Sequence, residues 1–354
     1  MNIKRHSKIR ISGKRMVLFS IIGVILLFLL LSGSKYYSWI YGKNIYNSES
    51  AETIIYIPNQ STLAEVCDLI SREGILVNKN SFLWVARIKG GTVRGGRYQL
   101  VNGMSNNTVI NMLRSGLQSP VQVTFNNIRT IEDLAGVISQ KIEADSVELV
   151  QLLKDEDFLK QYNTDSAKVL SLFIPNTYEF YWNTDAEGFF KRMYTEYLKF
   201  WNNDRRDKAE EINLTPLEVS TLASIVDEET IKSDEKPMVA GLYLNRLKKG
   251  IRLQADPTIK FAIDNFNVSR VINKDKEVDS PYNTYKYAGL PPGPIRIPSI
   301  SGIEAVLNPV KHNYLYMCAK EDFSGYHNFA KTLEQHNLNA AKYRRELNKR
   351  RIWR

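Results

Sequence analysis

The sequence predicts an α+β protein with a single N-terminal transmembrane helix, a small α+β domain behind it and a larger α+β domain that carries the chemistry. Three observations lead there. Met16 to Ser34 is an uncharged run of 19 residues rich in Leu, Ile, Val and Phe; at about 1.5 Å per residue it can cross roughly 30 Å of hydrocarbon. The 354 residues, 43% apolar and 24% charged, suit two modest folded domains. Short strand-like stretches then mix with helical periodicities, and unusual polar sequence gathers in the last third of the chain.

The formal net charge of +10 belongs to the chain ends. Residues 1–15 hold six Lys/Arg and no acid, and residues 341–354 hold seven Lys/Arg and one acid, so the body of the chain is slightly acidic. With no basic face on a folded domain, no zinc-finger spacing and no aromatic RNA-binding signature, nucleic acid is excluded as a partner. Lys4, Arg5, Lys8, Arg10, Lys14 and Arg15 precede the apolar run, which places a cytoplasmic tail at 1–15, the span at 16–34 and all later residues outside. Tyr36, Tyr37, Trp39 and Tyr41 suit the outer interface. A cleaved signal peptide ending at Ser32-Gly33-Ser34 is the alternative, and the length of the run favours a retained anchor. Cys67 and Cys318 have no metal-ligand spacing. No disulfide is expected, since Cys67 shares an apolar helical face with Leu63, Val66 and Ile70.

Residues 35–51 read as a linker, its 43–51 part polar and aperiodic. Thr53 to Ile57 is a strand ended by Pro58, Ser61 to Ile75 a helix closed at Gly74, Phe82 to Ile88 a helix, Gly96 to Leu100 a strand, and Asn106 to Leu113 a helix stopped by Gly116. This first domain, 52–118, has no His and no clustered acids, which points to binding or spacing. The second, 119–345, opens with a strand at Pro120–Phe125, then helices at Thr130–Ile142 and Ser146–Tyr162. Leu172–Phe180 reads as an aromatic loop or short strand whose side chains suit sugar faces, with plain core the commoner role of such a cluster, and Asp185–Trp201 as a long helix. Residues 346–354 form a basic tail.

Thr215-Pro216-Leu217-Glu218 starts the central helix with a capping box and a proline in its first turn. Leu222, Ile225 and Val226 form an apolar stripe, and Glu229 occupies its next position. A carboxyl group among apolar side chains resists ionisation, and a carboxylic acid still protonated near neutrality can act as a general acid. Asp227 and Glu228 fall off the stripe and are expected to be solvated. Further on, a helix over Lys236–Lys249 carries Asn245-Arg246 and stops at Gly250, and Asp256 is expected to N-cap a helix with Pro257 at N1. The Gly289–Ile295 loop is too rich in Pro and Gly to be there for packing alone.

Ala223-Ser224-Ile225-Val226 with Glu229-Thr230, Asn245-Arg246-Leu247, Leu253-Gln254-Ala255-Asp256-Pro257-Thr258, Tyr282-Asn283-Thr284-Tyr285, Gly289-Leu290-Pro291-Pro292-Gly293-Pro294-Ile295 and His327-Asn328-Phe329 occur in the order seen in the endolytic murein transglycosylase (YceG-like) family. The chain resembles that family from the anchor to about Asn337. The resemblance implies a LysM-like domain at 52–118 and a catalytic domain at 119–345, held extracytoplasmically on the bacterial inner membrane. The family pattern Glu-x-Glu-Thr has its catalytic acid at the second glutamate, which is Glu229; Asp227 departs from the pattern at the first.

The resemblance further implies cleavage of peptidoglycan glycan strands with 1,6-anhydro product, no metal or other cofactor, and peptidoglycan synthases as candidate partners. One carboxyl group suffices if it protonates the leaving oxygen and then takes the proton of the attacking muramic C6 hydroxyl. Gln254, Asp256, Tyr282, Asn283, Tyr285, His327, Asn245 and Arg246 are the candidate substrate contacts. A muramidase-type hydrolase using Asp256 as second carboxylate, and a wall-binding scaffold without catalysis, are the rival readings. The charge asymmetry around Met16–Ser34 yields a topology test: reporters fused after residue 50 should be active only if they work outside the cytoplasm, and reporters active solely in the cytoplasm would reverse the assignment.

Overall fold

A computed structural model describes residues 13–268 and 271–350. Most of the expected cytoplasmic tail and the last four residues of the basic tail lie outside the described residues. The chain divides into two compact units, one reaching Val121 and including Tyr181–Asn183, the other comprising Gln122–Phe180 and the chain from Thr184 onward.

The first unit begins with helix α1 (Gly13–Tyr41), whose segment Met16–Tyr41 is long and apolar enough to cross a membrane. The helix continues past Ser34 because its far end has a partner. Tyr36 stacks on Trp84 at 4.8 Å and Trp39 meets the same ring edge-on at 5.5 Å. Strand β1 (Glu52–Ile57) pairs antiparallel with β2 (Gly96–Val101), with α2 (Leu63–Arg72) and α3 (Lys79–Lys89) between them in sequence and α4 (Asn106–Ser115) after. Thr62 and Glu65 form the capping box of α2, and Gly116 ends α4 in the left-handed conformation that favours glycine. Ile55, Ile57, Val66, Ile70, Phe82, Tyr98, Ile110 and Leu113 make the core. Cys67 is buried among them, and both cysteines are free thiols.

The linker expected at 43–51 is instead built into this unit. Lys43 bridges Ser105 and Ile45 bridges Leu76, and Asn44 and Ile45 are 4% and 2% exposed. The segment is polar because its amides are consumed inside. Asn44 Nδ2 donates to Asn106 Oδ1 at 2.6 Å and to the Asn78 carbonyl at 3.0 Å, while Asn44 Oδ1 accepts from the Asn78 amide at 2.7 Å. Asn106 Nδ2 donates in turn to the Trp39 carbonyl and to Ser81 Oγ.

In the second unit β3 (Val121–Phe125) pairs with β4 (Asn176–Phe180). Between them lie α5 (Ile131–Ser139), α6 (Ser146–Lys154) and α7 (Glu156–Lys160). The single helix expected over Ser146–Tyr162 is two, because Asp155 turns extended and caps α7 by accepting from the Asp157 and Phe158 amides. The aromatic segment read as sugar-facing is core: Phe173 and Phe180 are buried, Phe173 stacks on Phe189, and the buried Tyr178 donates its hydroxyl to the Ile174 carbonyl. Helices α8 (Ala186–Phe200) and α9 (Asn203–Glu211) follow. The latter escaped the periodicity because Ala209 is its one buried residue.

Helix α10 (Pro216–Glu229) occupies the middle of the unit, packed against α9, α11 (Lys236–Lys248), α12 (Asp256–Ala262) and α13 (Ile300–Leu307). Its Thr215 capping box forms as expected, but every residue from Val219 to Asp227 is buried, so it has no solvated face. The hairpin β5 (Tyr316–Ala319) and β6 (His327–Ala330) packs under α14 (Leu333–Lys349). That last helix runs beyond the expected domain end at residue 345. The Gly289–Ile295 loop does serve packing. The Ile295 amide donates to Ser224 Oγ at 3.0 Å, and a Cβ on Gly293 would meet the Ala167 carbonyl oxygen at 1.8 Å.

Replacing Asn106 by Ala leaves one of the two Asn44 Nδ2 hydrogens and the Trp39 carbonyl without their Asn106 partners, which should cost about 2 kcal/mol or more. Thermal unfolding of the full chain should show it as a lowered midpoint, with exposed Asn111→Ala as the comparison; equal midpoints would mean the buried amides contribute nothing.

Candidate active site

Three consecutive acids end α10 and turn in different directions. The expectation that Asp227 and Glu228 are solvated fails, since a helix enclosed on all sides offers no such face. Asp227 is buried, 2.7 Å from Lys236 Nζ, and accepts from the Ser299 amide at 2.6 Å and from Ser299 Oγ at 2.9 Å. Ser299 is the N-cap of α13, so the carboxylate also meets the positive end of that helix. Lys236 Nζ donates to Ser301 Oγ at 2.9 Å as well. Glu228 Oε1 pairs with Arg129 Nη2 at 2.9 Å and Arg296 Nη1 at 2.7 Å.

Glu229 turns into an open cleft of about 340 Å³. Its Oε1 accepts from Tyr243 Oη at 2.7 Å. Burial raises its pKa from 4.5 to about 7, against the Tyr243 hydrogen bond and the His327 ring, which both favour ionisation; Asp256 and Glu228 add to the rise. Its place at a helix C-terminus acts in the same direction, because the negative end of the dipole disfavours an anion. Tyr243 has its own pKa pushed well up by burial and by the adjacent carboxyl, so the phenol remains a donor.

Of the sequence candidates, Gln254, Asp256, Tyr285, His327 and Arg246 line the cleft with Glu229. Tyr285 donates its hydroxyl to Asp256. Asp256 is the first residue of α12 rather than its cap: the cap position is Ala255, without a side-chain bond, because the Asp256 carboxylate is turned to Tyr285. His327 Nδ1 lies 2.8 Å from Glu235 Oε2, and its amide donates to Glu235 Oε1 at 2.7 Å. Arg246 is buried, its guanidinium donating to the Arg252 and Leu315 carbonyls and, at 2.6 Å, to Gln254 Oε1. Gln254 takes a left-handed φ of 54°.

Tyr282, Asn283 and Asn245 do not line the cleft. Tyr282 packs on Phe261 at 4.6 Å, and burial raises its hydroxyl pKa to about 12. Asn283 is fully buried, donating to the Lys276 and Val278 carbonyls and accepting from the Tyr285 amide. Asn245 donates to the His312 and Tyr314 carbonyls. The two amides hold the loops that present the cleft residues, and Tyr282 packs behind them. Among the described residues no group of three His, Cys, Asp or Glu could hold a metal ion.

Sequence reasoning missed Tyr243, Glu235, Tyr316 and His336. Val239, Leu242, Tyr243 and Arg246 share the inward face of α11, and a phenol on a core face needs a partner; that signal was available. Tyr316, Met317, Cys318 and Ala319 form the cleft wall from β5, and four intermediate residues in a short strand give no alternation to read.

The YceG-like family model matches residues 55–342, and the chain belongs to that family. A relative from Bacillus subtilis strain 168 named endolytic murein transglycosylase is 29% identical over 330 residues, covering 86% of this chain and 90% of that protein. One of the same name from Streptococcus pneumoniae R6 is 27% identical over 81% of this chain and 57% of its own length. The crystal structure of a YceG-like protein from Listeria monocytogenes aligns with a TM-score of 0.53 at 28% identity, over 81% of this chain and 98% of that one.

Tyr243→Phe removes a hydrogen bond that favours the ionised Glu229, so the Glu229 pKa should move above about 7 rather than below it. Infrared difference spectra of the carboxyl band between about pH 5 and 9 would register this; an unchanged or lowered pKa would remove Tyr243 from the electrostatics of the site.

Proposed function

We propose that this protein is a membrane-anchored endolytic lytic transglycosylase that cuts peptidoglycan glycan strands between N-acetylmuramic acid and N-acetylglucosamine. It leaves a 1,6-anhydromuramic end and so terminates strand elongation. The observation that carries the reading is the Glu229 carboxyl group, which lines an open cleft with its pKa raised to about 7 and accepts a hydrogen bond from the Tyr243 phenol. Family membership and the names of the relatives point to the same enzyme class.

Glu229, protonated, gives its proton to the leaving glycosidic oxygen as C1 develops positive charge. The carboxylate so formed accepts the proton of the muramic C6 hydroxyl as that oxygen bonds to C1, which regenerates the acid without consuming water. Tyr243 stabilises the carboxylate between the two transfers. Gln254, Asp256, Tyr285, Arg246 and His327 are the proposed sugar contacts or positioning groups. Residues 52–118 are proposed as the LysM-like domain, and the apolar helix as a single-pass anchor in the bacterial inner membrane with the cleft outside. Peptidoglycan synthases making the strand are the proposed partners. Asp256 faces the same cleft, so a hydrolase using it as second carboxylate is the second reading.

Glu229→Gln keeps the shape and loses the proton, and cleavage of purified strands should fall by about 10² or more. Mass spectrometry of wild-type products should find anhydro ends; reducing ends would put the hydrolase first. Because folding raises the Glu229 pKa, its stabilising contribution is complete below the unfolded value and is lost as pH rises through about 7. At pH 8, therefore, the Gln variant should melt no lower than wild type, and a much lower midpoint would mean that lost activity reports lost fold.

A further inference from the structure

Just outside the cleft, the β5–β6 turn and the α10–α11 connection meet. Tyr326 donates its hydroxyl to Asp234 at 3.0 Å, and Lys232 Nζ and Lys320 Nζ lie 5.1 and 5.5 Å from its ring centroid. Both lysines are half-buried, and among the described residues neither makes an ion pair. Lys236 in the same connection is committed to Asp227. The nearby acids are hydrogen-bonded elsewhere, Asp234 to Tyr326, Glu235 to His327, Glu321 to Asn328 and Asp322 to Ser324, with Lys320 acting on Asp322 only through its charge, outside an ion pair. Two ammonium groups thus rest over one ring, an attraction weaker than a carboxylate would provide. Beside them Ile231 is 88% exposed, two positions beyond Glu229, an apolar side chain that folding has left without cover.

We propose that Ile231, Lys232, Lys320 and Tyr326 form a subsite for the peptide stem of the glycan strand. The inference rests on the glycan-cleaving reading and extends it to substrate selection. A stem leaves the muramic ring at O3, on the same sugar as the scissile C1, so it must pass close to Glu229. Stems begin with a lactyl methyl and methyl-bearing residues and carry free carboxylates. An apolar contact backed by two cations outside any ion pair and an aromatic face matches that chemistry, whereas a muramic sugar without its stem offers only a lactyl carboxylate held close to the ring.

The test uses the full-length protein in detergent with two substrates, uncross-linked strands bearing stems and the same strands stripped by an amidase. The double variant Lys232→Gln/Lys320→Gln should raise KM for stem-bearing strands roughly tenfold at unchanged kcat, with a much smaller rise on stripped strands, which keep only the lactyl carboxylate, and Lys232→Arg/Lys320→Arg should restore the wild-type value. Equal loss on both substrates, or no loss on stem-bearing strands, would overturn the subsite while leaving cleavage intact. A wild-type protein that cuts neither substrate would instead overturn the glycan-cleaving reading, and the subsite with it.

Discussion

The last turn of α10 carries three acids about 100° apart, and the organisation of the catalytic-type unit depends on their different fates. Asp227 binds the N-terminus of α13 and Lys236, and Glu228 binds Arg129 and Arg296. These two carboxylates, buried or half-buried, are fully matched by cations and donors, and removing a partner from such a pair costs far more than an exposed pair ever contributes. They clamp the helix end in place. Glu229 receives a phenol and no cation in contact. Burial without a cation in contact is what lifts its pKa to about 7.

The surroundings of Glu229 are balanced rather than uniformly apolar. Burial opposes ionisation most strongly, Asp256 and Glu228 add to it, and Tyr243 and His327 work against it. The net shift to about 7 corresponds to roughly 3 kcal/mol of preference for the protonated form over an ordinary carboxyl group. A larger shift would give a weaker acid, and a smaller one would leave the group ionised near neutral pH. Glu235 contributes by holding His327 through both ring and amide, which fixes the imidazole in the cleft lining.

The helix start at Thr215, the strands and helices of the first unit and the position of Glu229 were legible in the sequence because capping chemistry and apolar spacing are local. What failed was inference from one face of a helix to its surroundings. Asp227 was read as solvated because it lay off the stripe, yet α10 is covered on every side, and periodicity says nothing about which polar residues have been given partners. Residues 43–51 failed for the same reason, since Asn44 is polar in sequence and spent in a buried amide pair. The candidate contacts divided along a related line: Gln254, Asp256, Tyr285, His327 and Arg246 came together, while Asn245, Tyr282 and Asn283 proved to be the supports behind them.

Arg246 shows why those supports stand where they do. Its guanidinium joins the carbonyls of Arg252 and Leu315 to the side chain of Gln254, segments far apart in the chain. A lysine could reach one of these acceptors, but only a planar fork with donors on several nitrogens satisfies all three at once. The Gln254 amide donates to the Thr284 carbonyl at 3.1 Å, and the Ala255 amide to Thr284 Oγ1 at 3.1 Å, so the segment that Arg246 holds is bound on its other side to the loop bearing Tyr285. Asn283, saturated by four backbone groups, sets that loop in turn. The cleft thus combines one wall from the β5–β6 hairpin with irregular loops. Buried side-chain amides and one guanidinium take over the backbone hydrogen bonds that irregular loops would otherwise leave unmade, and this lets five cleft residues from separate elements converge on Glu229.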